Sequence, residues 1–133
     1  MIVLDTHALL WWVNNDAALS AAARRSIDDE RRSAGGQILV SAISVWEIAM
    51  LVQAGRLGLL QPVQQWTQDV TEIPGLAVVP VDSAIAIQSV HLPGQFHKDP
   101  ADRIIVATAQ RYGAALVTAD AKIHAYPHVR IIW

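Results

Sequence analysis

Met1-Ile-Val-Leu-Asp-Thr-His7 opens the chain, and its pattern predicts the fold. Three apolar residues lead into Asp5, and the following segment Thr6–Val13 starts with a cap-type residue and then turns apolar. This pattern predicts a short buried strand, a turn that carries a carboxylate, and a helix. In an open α/β sheet such a turn lies in the crevice beyond the carboxyl ends of the strands, where ligands bind. Asp5 is therefore a candidate site residue, although Asp5 or Thr6 could equally serve as a simple helix cap.

The rest of the chain repeats the alternation of strand and helix. Short apolar segments predict four further strands: Gln37–Val40, Leu76–Val81, Ala114–Val117 and His128–Ile132. Longer segments between them predict helices: Ala21–Arg32, Val45–Ala54, Pro62–Asp69, Ala84–Val90 and Asp99–Tyr112. This spacing is typical of an α/β fold with a mainly parallel sheet covered on both faces. Because Pro80 has no backbone donor, the third strand should lie at an edge or end there.

The composition indicates one folded domain over residues 1–133. Hydrophobic residues make up 53% of the chain and charged residues 17%, which favours a well-buried core over disorder. No apolar run approaches the roughly 18 residues of a membrane helix, and no signal-peptide pattern is present. The chain has no cysteine, which excludes disulfides and thiolate metal sites. We therefore expect a cytoplasmic protein without membrane contact.

The formal net charge of −2 restricts how the protein could bind a nucleic acid. A protein that binds nucleic acid by counterion release alone is usually more basic. A phosphate-bearing substrate would therefore have to meet a local basic patch or bound cations. The arginines of the Ala21–Arg32 helix alternate with acids, and this pattern fits either a solvated face or a weak nucleic-acid contact.

Four carboxylates are expected at one edge of the predicted sheet. Asp5 and Asp120 each follow a strand directly, whereas Glu47 and Asp102 lie in the first turns of helices. The carboxyl ends of parallel strands and the amino ends of the helices between them share one edge. These four side chains should therefore converge, although they are far apart in the sequence.

Helix capping is the alternative explanation for two of these acids. Ser44-x-x-Glu47 has the spacing of a capping box. Asp99 can cap the next helix, with Pro100 at its first position and Asp102 in its first turn. Acids near helix amino ends are favourable by about 0.3–1 kcal/mol each. Each position taken alone is therefore explained by local structure.

The convergence of all four acids favours a metal site. Clustered, partly buried carboxylates repel one another and raise one another's pKa unless a cation offsets their charge. Oxygen ligands without cysteine or clustered histidine suit Mg²⁺ or Mn²⁺. Such ions support phosphodiester hydrolysis by activating water and stabilising charge on the phosphate. His7 and His97 could act as a general base near neutral pH, but a single histidine beside a helix start is more often structural.

The chain resembles the PIN-domain family over essentially its whole length. Four motifs carry this resemblance, in order: Asp5-Thr6, Ser44-x-x-Glu47, Asp99-Pro-Ala-Asp-Arg103 and Thr118-x-Asp120. The stretches Ile2–Trp12 and Ile43–Ala49 resemble the VapC toxin branch of that family in particular.

The resemblance implies a metal-dependent endoribonuclease that is the toxin of a type II toxin–antitoxin pair. It implies a three-layer α/β/α domain that forms a homodimer and is inhibited by a VapB-type antitoxin. It assigns catalysis and Mg²⁺ or Mn²⁺ binding to four acids, Asp5, Glu47, Asp102 and Asp120, with auxiliary hydrogen bonding from Thr118. Asp99 competes with Asp102 for the third place and keeps a capping role, while Asp82 is expected to be a plain N-cap. With Asp5 in the metal site, Thr6 would cap the first helix.

Two other functions are consistent with parts of the sequence. A non-catalytic α/β module would use the acids only as caps and would bind a partner through exposed tryptophans. A haloacid-dehalogenase-type phosphatase also has an aspartate after its first strand, but it needs a second one two residues later, where this chain has His7. Leu9, Trp11 and Trp12 of the first helix could belong to the core or to an antitoxin groove.

Overall fold

A computed structural model describes all residues, Met1–Trp133, as a five-stranded sheet with seven helices. The strands are β1 (Ile2–Leu4), β2 (Ile38–Ser41), β3 (Leu76–Val79), β4 (Ala115–Val117) and β5 (Ile131–Ile132). The helices are α1 (Thr6–Val13), α2 (Ala21–Arg32), α3 (Ala42–Gln53), α4 (Val63–Thr71), α5 (Ser83–Val90), α6 (Pro100–Arg111) and α7 (Ala121–His124). Every strand pair is parallel. The predicted α/β class with a parallel sheet is confirmed.

The central position in the sheet belongs to β1. The strand order is β3-β2-β1-β4-β5, and Val3 pairs with Leu39 on one side and with Leu116 on the other. From β1 the chain adds β2 and β3 on one side of the sheet, and it then crosses back to add β4 and β5 on the other side. This reversal creates a crevice at the carboxyl ends of β1 and β4, where ligands bind in open α/β sheets. Asp5 stands directly at that crevice.

Two hydrophobic clusters, one on each face of the sheet, form the core. Alternate residues of β1 point to opposite faces, so that Ile2 and Leu4 belong to one cluster and Val3 to the other. The first cluster contains residues of α1, α2, α3 and α4, and the second contains residues of α5, α6 and α7. The sheet is thus the middle layer of three. In α1, Leu9 is fully buried in the core, and the neighbouring Trp11 and Trp12 are partly buried against it.

Several predicted boundaries were wrong in detail. β3 ends at Val79 because Pro80 cannot extend its ladder, and its position at the edge of the sheet confirms the interpretation of that proline. The last strand is limited to Ile131–Ile132. β2 continues to Ser41 and α3 starts at Ala42, earlier than the predicted start at Val45. None of the helices is both long and apolar enough to cross a bilayer.

Candidate active site

Asp5 links the central strand to the first helix. It is the N-cap of α1, where its Oδ1 accepts a hydrogen bond of 2.8 Å from the Ala8 backbone N–H. Only 8% of the residue is exposed, and burial raises the pKa of its carboxyl above 3.8. Hydrogen bonds from the Thr118 side chain and from Ala8 lower this pKa but do not cancel the effect of burial. The prediction that Thr6 caps the helix was wrong, because Asp5 caps α1 while also facing the crevice.

Glu47 reaches the same crevice from the second turn of α3. Its Oε1 accepts a hydrogen bond of 2.6 Å from the Thr6 hydroxyl, which also lies 2.9 Å from the buried Ser44 hydroxyl. Burial raises the pKa of Glu47, the bond from Thr6 lowers it, and the charge of Asp99 raises it.

The capping box predicted at Ser44-x-x-Glu47 was wrong. Ser41 is the N-cap of α3 and accepts a hydrogen bond of 3.1 Å from the Ile43 backbone N–H. Because the strand continues to Ser41, the helix begins three residues before Val45, and Ser44 falls inside its first turn. Glu47 therefore has no role at the helix end, and its place in the crevice does not arise from capping.

Asp102 carries the largest electrostatic perturbation of the crevice. Asp99 is the N-cap of α6 and accepts a hydrogen bond of 3.0 Å from the Asp102 backbone N–H, with Pro100 in the first turn, as predicted. Burial and the charges of four neighbouring carboxylates together raise the pKa of Asp102 to about 7, with burial the largest cause; the four are Asp99, Asp120, Glu47 and Asp5. A carboxyl that is influenced by four others lies among them, so the predicted convergence of the acids is present in the fold.

Asp120 and Thr118 complete this edge at the end of β4. Asp120 caps α7 by accepting a hydrogen bond of 2.8 Å from the Lys122 backbone N–H. Its own backbone N–H donates to the Thr118 hydroxyl oxygen at 3.0 Å. Thr118 is fully buried, and its side chain lowers the pKa of Asp5, so it adjoins the acids at the ends of both β1 and β4.

The acids share one cleft of about 430 Å³. Its lining contains five carboxylates, Asp5, Glu47, Asp99, Asp102 and Asp120, together with Thr6, His7, Trp11, Ile105 and Ala119. Neither lysine nor arginine lines it. Sequence reasoning missed Thr6 and Trp11 as lining residues and expected Asp99 mainly as a cap. Trp11 lies one helical turn after His7, and that spacing could have indicated a shared face of α1.

The chemistry of this donor set fits a divalent cation. The five carboxylates of the cleft supply the oxygen ligands that Mg²⁺ and Mn²⁺ prefer. A cation would favour the charged form of Asp102, whose pKa is raised by burial and by the neighbouring acids. No group of three or more His, Asp or Glu side chains is arranged as a ready-made metal site. The cleft therefore matches a divalent cation in its charge and in the type of its ligands. Three of its acids (Asp5, Asp99 and Asp120) also cap helices.

The two histidines near the cleft differ in their surroundings. His7 is exposed, and its ring packs against Trp11 at a centroid distance of 5.7 Å. His97 lies outside the cleft lining, and its Nε2 is 3.1 Å from Asp102 Oδ2 but makes no hydrogen bond. Arg103 holds the loop that carries His97, because its guanidinium donates to the carbonyls of Ser89 at 2.7 Å and Phe96 at 3.0 Å.

Comparison with known proteins gives the family of this parallel sheet with its acid-lined cleft. The PIN domain model matches residues 2–129. Ribonuclease VapC22 from Mycobacterium tuberculosis is 36% identical over 129 residues, which covers 97% of this chain and 94% of that protein. The chain belongs to the PIN-domain family, and the resemblance inferred from the motifs is confirmed.

Solved structures show the same fold at lower sequence identity. A toxin–antitoxin complex from Klebsiella pneumoniae contains a chain that is 19% identical, with a TM-score of 0.66, covering 97% of this chain and 95% of that one. VapBC2 from Rickettsia felis, bound to a DNA fragment from its promoter, gives 17% identity and a TM-score of 0.68, covering 98% and 97%. These likenesses confirm the predicted three-layer α/β architecture.

Proposed function

We propose that this protein is an endoribonuclease that hydrolyses RNA phosphodiester bonds with Mg²⁺ or Mn²⁺, and that it is the toxin of a type II toxin–antitoxin pair. The observation that carries the proposal is the cleft lined by five carboxylates in a chain of the PIN-domain family. The relative that is 36% identical over nearly the whole chain is named a ribonuclease.

The proposed metal ligands are Asp5, Glu47, Asp102 and Asp120. When bound, a divalent ion supplies activation of water and offsets the negative charge of the scissile phosphate. Asp5 and Asp120 are held by backbone N–H groups at the starts of α1 and α7, which leaves a second carboxylate oxygen free. Thr118 would act through hydrogen bonding to Asp5 and not as a ligand.

Proton binding at Asp102 should compete with metal binding. With a pKa of about 7, this carboxyl is partly protonated near neutral pH in the metal-free protein. A cation bound nearby favours the charged carboxylate, so its binding should release a proton. Metal affinity and cleavage should therefore both weaken as the pH falls below about 7.

The absence of lysine and arginine from the cleft lining supports a role for metal ions in substrate binding. An RNA phosphate that approached five carboxylates without cations would be repelled. Bound cations reverse this repulsion at the point of cleavage. The overall net charge of −2 gives no general attraction that could replace them.

We also propose a VapB-type antitoxin and a second copy of this chain as partners. Chains that share the fold were solved as a toxin–antitoxin complex and as VapBC2. Large apolar side chains remain exposed on α3, where Trp46 is 53% and Met50 46% exposed, and on α5, where Ile87 is 62% and Val90 69% exposed. Apolar surface of this kind is typical of protein interfaces. The cytoplasmic location expected from the sequence stays a prediction.

Incubation of purified protein with single-stranded and structured RNA tests the ribonuclease proposal. Cleavage should require Mg²⁺ or Mn²⁺ and should stop when a chelator is added. Cleavage that continues unchanged in excess chelator would exclude the metal mechanism.

The alternative is a non-catalytic binding module, and the capping roles of Asp5, Asp99 and Asp120 favour it. Calorimetric titration with Mn²⁺ separates the two functions. Converging ligands should bind the ion with release of protons, whereas acids that serve only as caps should give no saturable heat.

A further inference from the structure

Three aromatic side chains form a continuous strip beside the acid cleft. The ring centroids of His7 and Trp11 are 5.7 Å apart, as are those of Trp11 and Trp133, with interplanar angles of 45° and 53°. We call His7, Trp11 and Trp133 the aromatic strip. Trp11 is its middle member and lines the cleft together with the five carboxylates.

The position of Trp11 is fixed by the fold. His7 and Trp11 are four residues apart on α1, so they share a helix face, and Asp5 caps the same helix. Trp11 and Trp133 both pack against the hydrophobic cluster on this face of the sheet. Trp11 is only partly buried, so one part of the ring is anchored while the remainder is open to the cleft.

The electrostatics of the cleft indicate what this open ring can do. The residues that line the cleft include no lysine or arginine, so within the cleft the attraction of RNA phosphates rests on bound cations. Affinity that does not depend on charge would add to this binding. Stacking of a base on an aromatic side chain supplies such affinity, and it tolerates any base because every base has a π-face.

We propose that Trp11, flanked by His7 and Trp133, is a stacking platform for one unpaired nucleobase of the RNA. This inference rests on the proposed ribonuclease function and names the part of the substrate that the cleft recognises. A base within a duplex is already stacked between its neighbours, and proteins reach base faces in loops, bulges and single strands. The platform therefore selects single-stranded or looped RNA and orients the phosphate next to the stacked base toward the carboxylates.

Binding of labelled oligoribonucleotides by fluorescence anisotropy tests the platform, with Asp5→Asn as the background so that no cleavage occurs. In the presence of Mn²⁺, Trp11→Leu should weaken binding of single-stranded RNA by about tenfold, the order expected for one lost base stack. Trp11→Phe keeps an aromatic face and should stay within about threefold of the background. Tyr112→Leu, at an exposed aromatic residue outside the cleft lining, should bind as the background does.

A scan with abasic nucleotides gives a second readout that leaves Trp11 intact. One abasic position should weaken binding to the Asp5→Asn protein by about tenfold, and this loss should disappear when Trp11→Leu is added. If the wild-type protein cleaves no RNA in Mn²⁺, the proposed function and the platform both fail. If Asp5→Asn binds no RNA although the wild type cleaves it, the abasic scan is read from the cleavage rates of the wild type and of Trp11→Leu, and the same loss at one position is expected only in the wild type. If Asp5→Asn binds RNA but Trp11→Leu equals Trp11→Phe, or no abasic position matters, only the platform fails. If Trp11→Leu lost binding to an antitoxin but kept its binding of RNA, the platform would also be overturned.

Discussion

The Thr6 hydroxyl donates a hydrogen bond of 2.6 Å to Glu47 Oε1, and so joins the start of α1 to the second turn of α3. Thr6 is 3% exposed and the adjoining Ser44 is fully buried, so both hydroxyls are largely shielded from water. The bond stabilises the charged form of Glu47 and opposes the effect of burial on its pKa. Thr6 thereby positions a proposed metal ligand that α3 alone would leave free to rotate.

Thr6→Val should therefore weaken metal binding while keeping the shape of the side chain. Glu47 would lose its donor, and its pKa should rise further. Removal of an outer hydrogen-bond partner typically lowers metal affinity or activity by about 10–100-fold, and we expect a loss in this range for Mn²⁺ affinity and for kcat/KM.

Thr6→Ser is the matched control for that variant. It retains the hydroxyl and should restore most of the Mn²⁺ affinity measured by calorimetry. Equal affinities for the Val and Ser variants would show that the hydrogen bond does not position Glu47.

The raised pKa of Asp102 predicts a pH-dependent stability of the metal-free protein. The folded chain holds this proton up to a pH of about 7, whereas the ordinary pKa is 3.8. The contribution of this proton to the free energy of unfolding is therefore fully present below about pH 4, and it is lost as the pH rises through about 7. The raised pKa values of Asp5 and Glu47 act in the same direction.

Asp102→Asn removes this ionisation and isolates its effect. In chelator at pH 8 the variant should melt above the wild type, on the order of 4 °C for each kcal/mol of relieved repulsion. The difference should shrink as the pH falls toward 5. Mn²⁺ should raise the melting temperature of the wild type at pH 8 more than that of the variant. Thermal denaturation at several pH values measures this difference in melting temperature. A difference that does not change with pH would contradict the electrostatic explanation.

Asp82 and Asp120 offer a matched test of capping against function. Each follows a strand and caps a helix, and Asp82 accepts a hydrogen bond of 2.9 Å from the Ile85 backbone N–H. Only Asp120 lines the cleft. Replacement of either by alanine should lower the free energy of unfolding by about 1 kcal/mol.

The Asp82→Ala and Asp120→Ala variants should differ in their cleavage activity. Asp82→Ala should keep the wild-type kcat/KM. Asp120→Ala should lose about 100-fold or more, because removal of even an outer partner of a bound metal lowers activity by about 10–100-fold. Parallel chemical denaturation and cleavage assays check both effects. Equal activities in the two variants would make Asp120 a cap without a role in the cleft.

Local sequence patterns were sufficient for much of the fold. Alternating strand and helix segments predicted the parallel sheet, and Pro80 predicted that β3 lies at an edge or ends there. Asp99 followed by Pro100 predicted the start of α6, because a capping side chain and a fixed φ define a helix start within a few residues. The convergence of the acids followed from the rule that parallel strands end at one edge of the sheet.

The errors arose where two local patterns compete or where contacts are distant. Ser41 and Ser44 are both acceptable caps, and only the length of β2 decides between them. The bond between Thr6 and Glu47 joins residues 41 positions apart, and no spacing rule predicts it. The place of Trp11 in the cleft depends on the rotation of α1 against the sheet, which tertiary packing sets.

Metal-dependent RNA cleavage by Asp5→Asn beside the wild type is the most direct test of the proposed site. Asparagine is also a favourable N-cap, so the variant should keep α1 and, without metal, a melting temperature equal to or above that of the wild type. It removes the negative charge from the buried end of β1. We predict Mn²⁺-dependent cleavage by the wild type and its loss in Asp5→Asn. Cleavage by a folded Asp5→Asn protein at the wild-type rate would contradict the assignment of the acid cleft as the active site.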